Sequence, residues 1–197
     1  MDMDIKVIEQ MIEQALKELK NEQPKAFAPA PVEHYGVFKT MDEAISASEK
    51  AQKELLFSKI QQRQKYVDAI RAAVLKKENL ELISRLAVEE TEIGCYEHKL
   101  IKNRLAAEKT PGTEDLATEA VTGDHGLTLV EYCPFGVIGA ITPTTNPTET
   151  IINNSISMIA GGNTVVFSPH PRAKKVSQML VKNVEIRPYW RRERLRI

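Results

Sequence analysis

The segment Ile138–Pro147 carries the residue types that are best suited to bind a ligand. A predicted strand ends at Thr142, and a polar loop bounded by Pro143 and Pro147 leads into a predicted helix. Helix N-termini present unpaired N–H groups to anions and polar ligand atoms. The loop adds side-chain donors, which are Thr144, Thr145, Asn146 and Thr148. The segment therefore predicts a ligand-binding edge, and capping of the helix by the same residues is the equally weighted alternative.

A second polar strand end follows the next predicted strand and reads Ser168-Pro169-His170-Pro171. Ligands of open α/β sheets bind at the carboxyl ends of the strands. We therefore expect this segment to lie beside the first strand end, where it is suited to holding an adenine ribose. The chain has neither a G-x-G-x-x-G fingerprint nor a Walker lysine loop, so these short motifs do not identify the ligand.

The two cysteines, Cys95 and Cys133, are weak candidates for a nucleophile. A thiolate needs a base or a cation beside it, and the sequence around each cysteine supplies none. His34, His98 and His125 are isolated and are interpreted as surface residues. Because neither cysteine has a CxxC or Cys/His spacing, no metal site is predicted.

The ligand-binding edge is preceded by a helix and a tether. Residues 1–20 are predicted to form an amphipathic helix, with apolar residues at helical spacing from Ile5 to Leu19. Residues 21–36 form a Pro/Ala-rich linker, since its prolines oppose a helix. This arrangement favours a docking tag, and a helix packed on its own domain or in an oligomer interface is the alternative.

A helical region follows the linker, with four apolar stripes between Ala44 and Glu108. Capping boxes are predicted at Thr40 with Glu43 and at Ser58 with Gln61. The charged residues of this region are interpreted as solvated helix faces. The pattern therefore predicts packed helices before the ligand-binding edge.

Beyond Pro111 the composition becomes rich in glycine. The predicted elements are strands Leu127–Cys133 and Val137–Thr142 joined by a turn at residues 134–136, helix Thr148–Ala160, strand Thr164–Phe167 and helix Ala173–Val181. Gly161 and Gly162 are predicted to end the first of these helices. The alternation of strand and helix indicates an α/β fold.

The composition limits the classes of protein to which this chain can belong. Hydrophobic residues make up 42% and charged residues 27% of the 197 residues, as is usual for globular proteins. No apolar run is long enough to span a membrane, the N-terminus does not resemble a secretory signal, and two cysteines favour a reducing cytoplasm. Five arginines lie in the last eleven residues of a chain whose net charge is +0. The body is therefore mildly acidic, which gives no support to nucleic-acid binding.

The stretch GVIGAITPTTNPTETIINNSISMIAGGNTVVFSPHPRAK resembles the CoA-acylating branch of the aldehyde dehydrogenase superfamily. The likeness runs from about Val37 to about Lys182, and the TPTTNP and FSPHP motifs carry its specificity. The branch includes acetaldehyde and propionaldehyde dehydrogenases of bacterial microcompartments. The helix of residues 1–20 resembles their encapsulation peptides, which implies a shell protein as partner and the microcompartment lumen as location. The resemblance also implies a homo-oligomer.

The resemblance implies a fold and a reaction. The fold is the N-terminal part of the aldehyde dehydrogenase cofactor-binding, Rossmann-like domain. The reaction begins when a cysteine thiolate attacks a short-chain aldehyde. Hydride then passes to NAD, and the acyl group passes from the cysteine thioester to coenzyme A.

The resemblance also implies roles for individual residues. Ile141, Thr142 and Pro143 match positions that line the cofactor, and we assign Thr144 to the same group. Hydrolytic relatives read P-W-N-F-P here, and their asparagine donates to the oxyanion. Aligned on the two prolines, that position is Thr145, with Asn146 one residue on, so either is a candidate donor. Where those relatives have K-P-S-E at the ribose, this chain has residues 168–171, which fits a remodelled pocket for cofactor or coenzyme A.

The family's nucleophile is expected beyond residue 197, because neither Cys95 nor Cys133 aligns with it. Residues 37–186 are therefore interpreted as a partial NAD-binding domain that is inactive by itself. The Arg-rich residues 187–197 do not resemble the family, and a frameshift or a truncated gene is the hypothesis, with a divergent tail as alternative. The competing function is a non-enzymatic cargo or adaptor module of a microcompartment.

Overall fold

The computed structural model describes residues 36–183. The predicted helix of residues 1–20, nearly all of the linker and the tail of residues 187–197 lie outside the described residues. The described helices are α1 Met41–Leu55, α2 Ile60–Leu75, α3 Lys77–Thr91, α4 Tyr96–Lys109, α5 Pro147–Ala160 and α6 Lys174–Asn183. The strands are β1 Glu119–Gly123, β2 Gly126–Val130, β3 Val137–Thr142 and β4 Thr164–Pro169. Short 3-10 turns span Thr113–Asp115 and Pro171–Ala173.

The four predicted N-terminal helices are confirmed, and one of their two predicted caps is wrong. Thr40 and Glu43 form a complete capping box at the start of α1. The start of α2 differs, because Lys59 is its N-cap and makes no side-chain cap. The Ser58 hydroxyl donates instead to the carbonyl oxygen of Leu55 at 2.6 Å. Ser58 therefore closes the end of α1 rather than opening α2.

The main core lies where helices α2, α3, α5 and α6 meet. Its largest fully buried side chains include Ile70, Ile83, Ile152, Ile156 and Leu180. Burying each such side chain stabilises the fold by roughly 1.5–3 kcal/mol. Because α5 packs on α2 and α4, this core fixes the helix that begins at the polar loop.

The strands form two separate two-stranded sheets in the described part of the chain. β3 and β4 are parallel, with Val137 opposite Thr164 and Thr142 opposite Pro169. Helix α5 connects them, so the predicted strand–loop–helix–strand order is confirmed. Gly162, with φ +81°, takes the left-handed backbone conformation that glycine tolerates and turns the chain from α5 into β4.

The predicted strand Leu127–Cys133 ends earlier, at Val130, and the predicted turn at residues 134–136 does not join neighbouring strands of one sheet. β2 pairs with β1 in an antiparallel hairpin whose register runs from Glu119 opposite Val130 to Gly123 opposite Gly126. Asp124 and His125 are the two loop residues of this hairpin, and two-residue loops are the commonest hairpin connection. Residues 134–136 therefore link two sheets. Both hairpin strands are exposed along their whole length.

None of the helices between residues 36 and 183 is both long and apolar enough to cross a membrane.

Candidate functional site

The carboxyl ends of β3 and β4 lie side by side. Ile141 is opposite Ser168, and Thr142 is opposite Pro169. One residue further, the backbone N–H of His170 donates to the Thr142 carbonyl oxygen at 3.2 Å. The structure therefore brings together the two polar strand ends that the sequence singled out.

The side chains at this edge differ in exposure. Ile141 is 88% exposed, whereas Thr142 is 1% exposed. The Thr142 hydroxyl oxygen is buried and has no hydrogen-bond partner within residues 36–183. Polar atoms that are buried without a partner cost free energy. Because successive side chains of a strand point to opposite faces, the exposed apolar side chain of Ile141 and the unsatisfied hydroxyl of Thr142 lie on different faces of β3.

The remaining predicted cofactor residues follow the two strand ends. Ser168 and Pro169 are half-buried on β4, and Thr144 is half-buried in the loop. Exposed positions complete the set at Pro143, His170 and Pro171. The His170 imidazole is engaged locally, since its Nδ1 accepts from the Arg172 backbone N–H at 3.2 Å.

Helix α5 begins at Pro147, and Asn146 is its N-cap residue. The Asn146 side chain makes no capping hydrogen bond, and the Thr148 hydroxyl donates to its neighbour Glu149 at 3.1 Å. The capping alternative is therefore wrong for Asn146, the residue at the cap position. The Asn146 side-chain amide is therefore not bound to the first turn of α5.

Two lysines of α4 donate hydrogen bonds to the loop that precedes α5. Lys99 Nζ donates to the Thr145 carbonyl oxygen at 2.5 Å and lies 3.3 Å from Glu149 Oε1. Lys102 Nζ donates to Asn146 Oδ1 at 2.9 Å. The loop and the first turn of α5 are therefore attached to α4 through charge-assisted hydrogen bonds.

The sequence analysis did not identify either lysine as part of the site. It interpreted the charged residues of these helices as solvated, and for Lys99 that interpretation is wrong. The Lys99 side chain is only 3% exposed. It shares the buried face of α4 with Asn103 and Ala107, at spacings of four residues. The spacing of these three residues was the signal that could have identified Lys99 as buried. Polar residues on the buried face of a helix need hydrogen-bond partners in the neighbouring elements.

A cleft of about 280 Å³ lies beside the loop and is lined in part by Thr145, Cys95, His98 and Lys102. Cys95 is half-buried and Cys133 is exposed, and both are free thiols. No hydrogen bond joins Cys95 to His98 or Lys102 within the described residues. Those residues also contain no cluster of three or more His, Cys, Asp or Glu side chains able to hold a metal ion.

Comparison with known proteins identifies the family. The sequence pattern of the aldehyde dehydrogenase family matches residues 28–186. This chain belongs to the aldehyde dehydrogenase family. The match includes both strand ends, the loop between them and the helices that support it, so the predicted resemblance is confirmed.

Similar proteins within the family are CoA-acylating enzymes. The acetaldehyde dehydrogenase (acetylating) of Bilophila wadsworthia is 43% identical over 189 residues, which are 92% of this chain and 38% of the relative. A propionaldehyde dehydrogenase of Rhodopseudomonas palustris, solved with bound coenzyme A and an acylated cysteine, is 63% identical, with a TM-score of 0.73. The similarity covers 76% of this chain and 34% of that one.

A third similar protein comes from a bacterial microcompartment. It is the propionaldehyde dehydrogenase of the fucose utilisation microcompartment of Clostridium phytofermentans, which is 55% identical with a TM-score of 0.71. The similarity covers 76% of this chain and 34% of that one. The chain thus spans a little over a third of the length of these proteins, and its described elements have the fold of the N-terminal part of an aldehyde dehydrogenase.

Proposed function

We propose that this chain supplies the cofactor side of the active site of an enzyme that oxidises a short-chain aldehyde to an acyl-CoA with NAD. The observation that carries the proposal is the pairing of the β3 and β4 ends within a chain of this family. In open α/β sheets, dinucleotides bind outside the carboxyl ends of parallel strands, and the parallel register from Val137 to Thr142 sets two such ends side by side.

The proposed cofactor contacts follow the geometry of the edge. Ile141 offers exposed apolar surface, and the buried Thr142 hydroxyl lacks a partner among the described residues. The exposed Ile141 side chain suits contact with an apolar ring of the ligand, whereas the Thr142 side chain lies on the opposite face of the strand. Pro143 and Thr144 continue this surface, and residues 168–171 flank it from β4. NAD bound here would accept the hydride of the aldehyde carbon.

The loop residues Thr145 and Asn146 are the proposed donors to the oxygen of the reacting aldehyde. Preorganised donors aimed at a developing oxyanion are among the largest contributions to acyl-transfer catalysis. Asn146 is held by Lys102, and Thr145 is held through its backbone by Lys99. The nucleophilic cysteine and the groups that receive coenzyme A are proposed to lie in the part of the enzyme that this chain does not span.

The direct experiment measures binding of NADH to the purified chain by the change in nicotinamide fluorescence. Saturable binding that unlabelled NAD displaces is expected. The chain is then supplied with NAD, coenzyme A and propionaldehyde, and no NADH is expected to form. An absence of dinucleotide binding would refute the cofactor assignment, whereas turnover by the chain alone would refute the placement of the nucleophile.

Residues 1–20 are proposed to direct the protein to the lumen of a bacterial microcompartment by binding a shell protein. The similar propionaldehyde dehydrogenase of a fucose utilisation microcompartment supports this proposal. We also propose a homo-oligomer, because the hairpin exposes apolar side chains, including Val121, Leu127 and Leu129, and exposed apolar patches mark association surfaces. The test fuses residues 1–20 to a fluorescent reporter and asks whether it enters shells. A reporter that enters shells, joined to a chain that binds no dinucleotide, would favour the adaptor function.

A further inference from the structure

We propose that Lys102 is a positioning residue: it turns the side-chain amide of Asn146 so that Nδ2, rather than Oδ1, faces the ligand. The inference rests on the proposed function for the identity of the ligand, a carbonyl compound. It also selects Asn146 over Thr145 as the donor that this loop presents.

The helix beneath the loop provides the geometry. Lys99 and Lys102 are three residues apart on α4, and residues at this spacing lie on the same helix face. Lys99 Nζ binds the Thr145 backbone carbonyl oxygen at 2.5 Å, and Lys102 Nζ binds Asn146 Oδ1 at 2.9 Å. Two neighbouring loop residues, Thr145 and Asn146, are therefore each bound by the ammonium group of a different lysine on the same helix. The first contact fixes the backbone of the loop, and the second fixes the rotation of an amide.

The chemistry of the pair settles which amide atom faces Lys102. A lysine ammonium has three donors and no acceptor, whereas an asparagine amide has one acceptor oxygen and one donor nitrogen. Lys102 therefore binds stably only to Oδ1, and Nδ2 is directed away from it. Asn146 Nδ2 is thus a donor that this contact orients.

Thr145 lacks this constraint. Its side chain is exposed, and its hydroxyl makes no hydrogen bond within residues 36–183. A hydroxyl hydrogen rotates to suit its surroundings, so Thr145 must be oriented by the ligand itself. Donors that are already oriented contribute more to stabilising a developing charge than donors that must reorganise. Asn146 is therefore the better preorganised of the two candidates.

The test uses nuclear magnetic resonance on the full chain, 15N-labelled at asparagine. Wild type is compared with Lys102→Arg, Lys102→Met and Lys102→Glu, and Lys109→Met is the matched control on an exposed position of the same helix. Nuclear Overhauser contacts between the side chain of residue 102 and the Asn146 amide protons report the orientation of the amide. These contacts should be weak in wild type, Lys102→Arg and Lys109→Met. They should become strong in Lys102→Glu, because a carboxylate accepts from Nδ2 and turns the amide around.

Propionamide is the ligand probe, because its carbonyl oxygen is a neutral acceptor that does not react with lysine. The Asn146 amide protons should shift on titration in wild type and in Lys102→Arg. Affinity should fall by roughly threefold to tenfold in Lys102→Met, the range that one hydrogen bond supplies, and further in Lys102→Glu. An amide orientation unchanged in Lys102→Glu, or equal responses to propionamide in all variants, would overturn the proposal.

The two proposals fail separately. A chain that binds no NADH but shows the expected reorientation of Asn146 would refute the proposed function and leave the role of Lys102 standing. A chain that binds NADH but whose Asn146 amide keeps the same orientation in all variants would support the proposed function and refute the role of Lys102. Lys102 is exposed, so its substitution should leave the fold intact.

Discussion

Lys99 and Glu149 form an ion pair in which the two side chains are 3% and 11% exposed, with 3.3 Å between Nζ and Oε1. The pair joins α4 to the first turn of α5, and Lys99 at the same time holds the Thr145 carbonyl oxygen. One buried ammonium therefore sets both the backbone of the ligand loop and the start of the helix that follows it.

Replacing Lys99 with methionine should destabilise the chain by about 3–5 kcal/mol, because it leaves the Glu149 carboxylate buried without its partner. The double substitution of Lys99→Met with Glu149→Leu should recover much of this loss, since no uncompensated charge remains. Urea unfolding followed by circular dichroism measures both. Lys102→Met is the control, because that lysine is exposed, and a loss as large as that of Lys99→Met would contradict this account.

Replacing Asn163 with leucine should destabilise the connection between β3 and β4 by roughly 1–3 kcal/mol, because it removes two hydrogen bonds whose net contribution is about 0.5–1.5 kcal/mol each. Asn163 Oδ1 accepts from the backbone N–H groups of Phe135 and Gly136, at 2.6 and 2.9 Å. Asn163→Asp keeps an acceptor oxygen in place and should cost less. Hydrogen exchange at the two backbone amides is the measurement, and equal protection in both variants would argue against the contact.

Gly162→Ala should destabilise the chain by about 1–2 kcal/mol, the cost of a side chain in the left-handed region. The glycine has φ +81°, and an added Cβ would lie 3.0 Å from Arg63 Nη1. Gly139→Ala is the matched control, since nothing lies within 4 Å of its added Cβ. Thermal unfolding should show a lower melting temperature for Gly162→Ala than for Gly139→Ala. An equal loss of stability in Gly139→Ala would contradict the explanation by left-handed backbone strain.

Glu114 should give the fold a modest dependence on acid. Hydrogen bonds from its own backbone N–H and from that of Gly112, together with Arg71, hold the pKa of the Glu114 carboxyl below its usual range, despite an opposing effect of desolvation. A carboxyl with a lowered pKa stabilises the fold above its unfolded pKa, and this contribution is lost as the pH falls through the folded value. In the Glu114→Gln variant, the melting temperature should fall less than in wild type as the pH is lowered from neutrality through the folded pKa of Glu114. A profile identical to wild type would show that solvent screening at this exposed site cancels the effect.

Ile141→Ser should weaken NADH binding while leaving stability nearly unchanged. The side chain is 88% exposed, so the fold loses little buried apolar surface, whereas a cofactor ring packed on it would lose contact area. Fluorescence titration with NADH, paired with urea unfolding, measures the two effects. Val121→Ser, at an exposed hairpin position, is the control for loss of a surface apolar group. Unchanged NADH affinity would exclude Ile141 from the cofactor surface.

Much of the ligand edge could be predicted from the sequence because its signals are local. The run from Val137 to Thr142, the helix that follows and Gly162 at its end each carry their own periodicity or backbone requirement. Their order alone requires that the two strand ends meet at one edge. The boundaries of these elements were therefore predicted within a few residues.

The support of that edge could not be predicted in the same way, because its partners are distant in sequence. Lys99 and Glu149 are fifty residues apart, and an isolated lysine on a helix is ordinarily solvated. The hairpin was missed for a different reason. Strand β1 has a weak pattern and is exposed on both faces, so the proline-containing segment at residues 134–136 offered a stronger turn signal than Asp124 and His125.

The two prolines that bound the ligand loop, Pro143 and Pro147, act before folding as well as after it. Each ring fixes φ near −65° in the unfolded chain, so the five-residue loop samples fewer conformations while it is still disordered. Ordering the loop therefore costs less entropy than it would with ordinary residues at its ends. A rigid recognition loop is in this way partly encoded in the denatured ensemble, and the lysines of α4 need only complete its immobilisation.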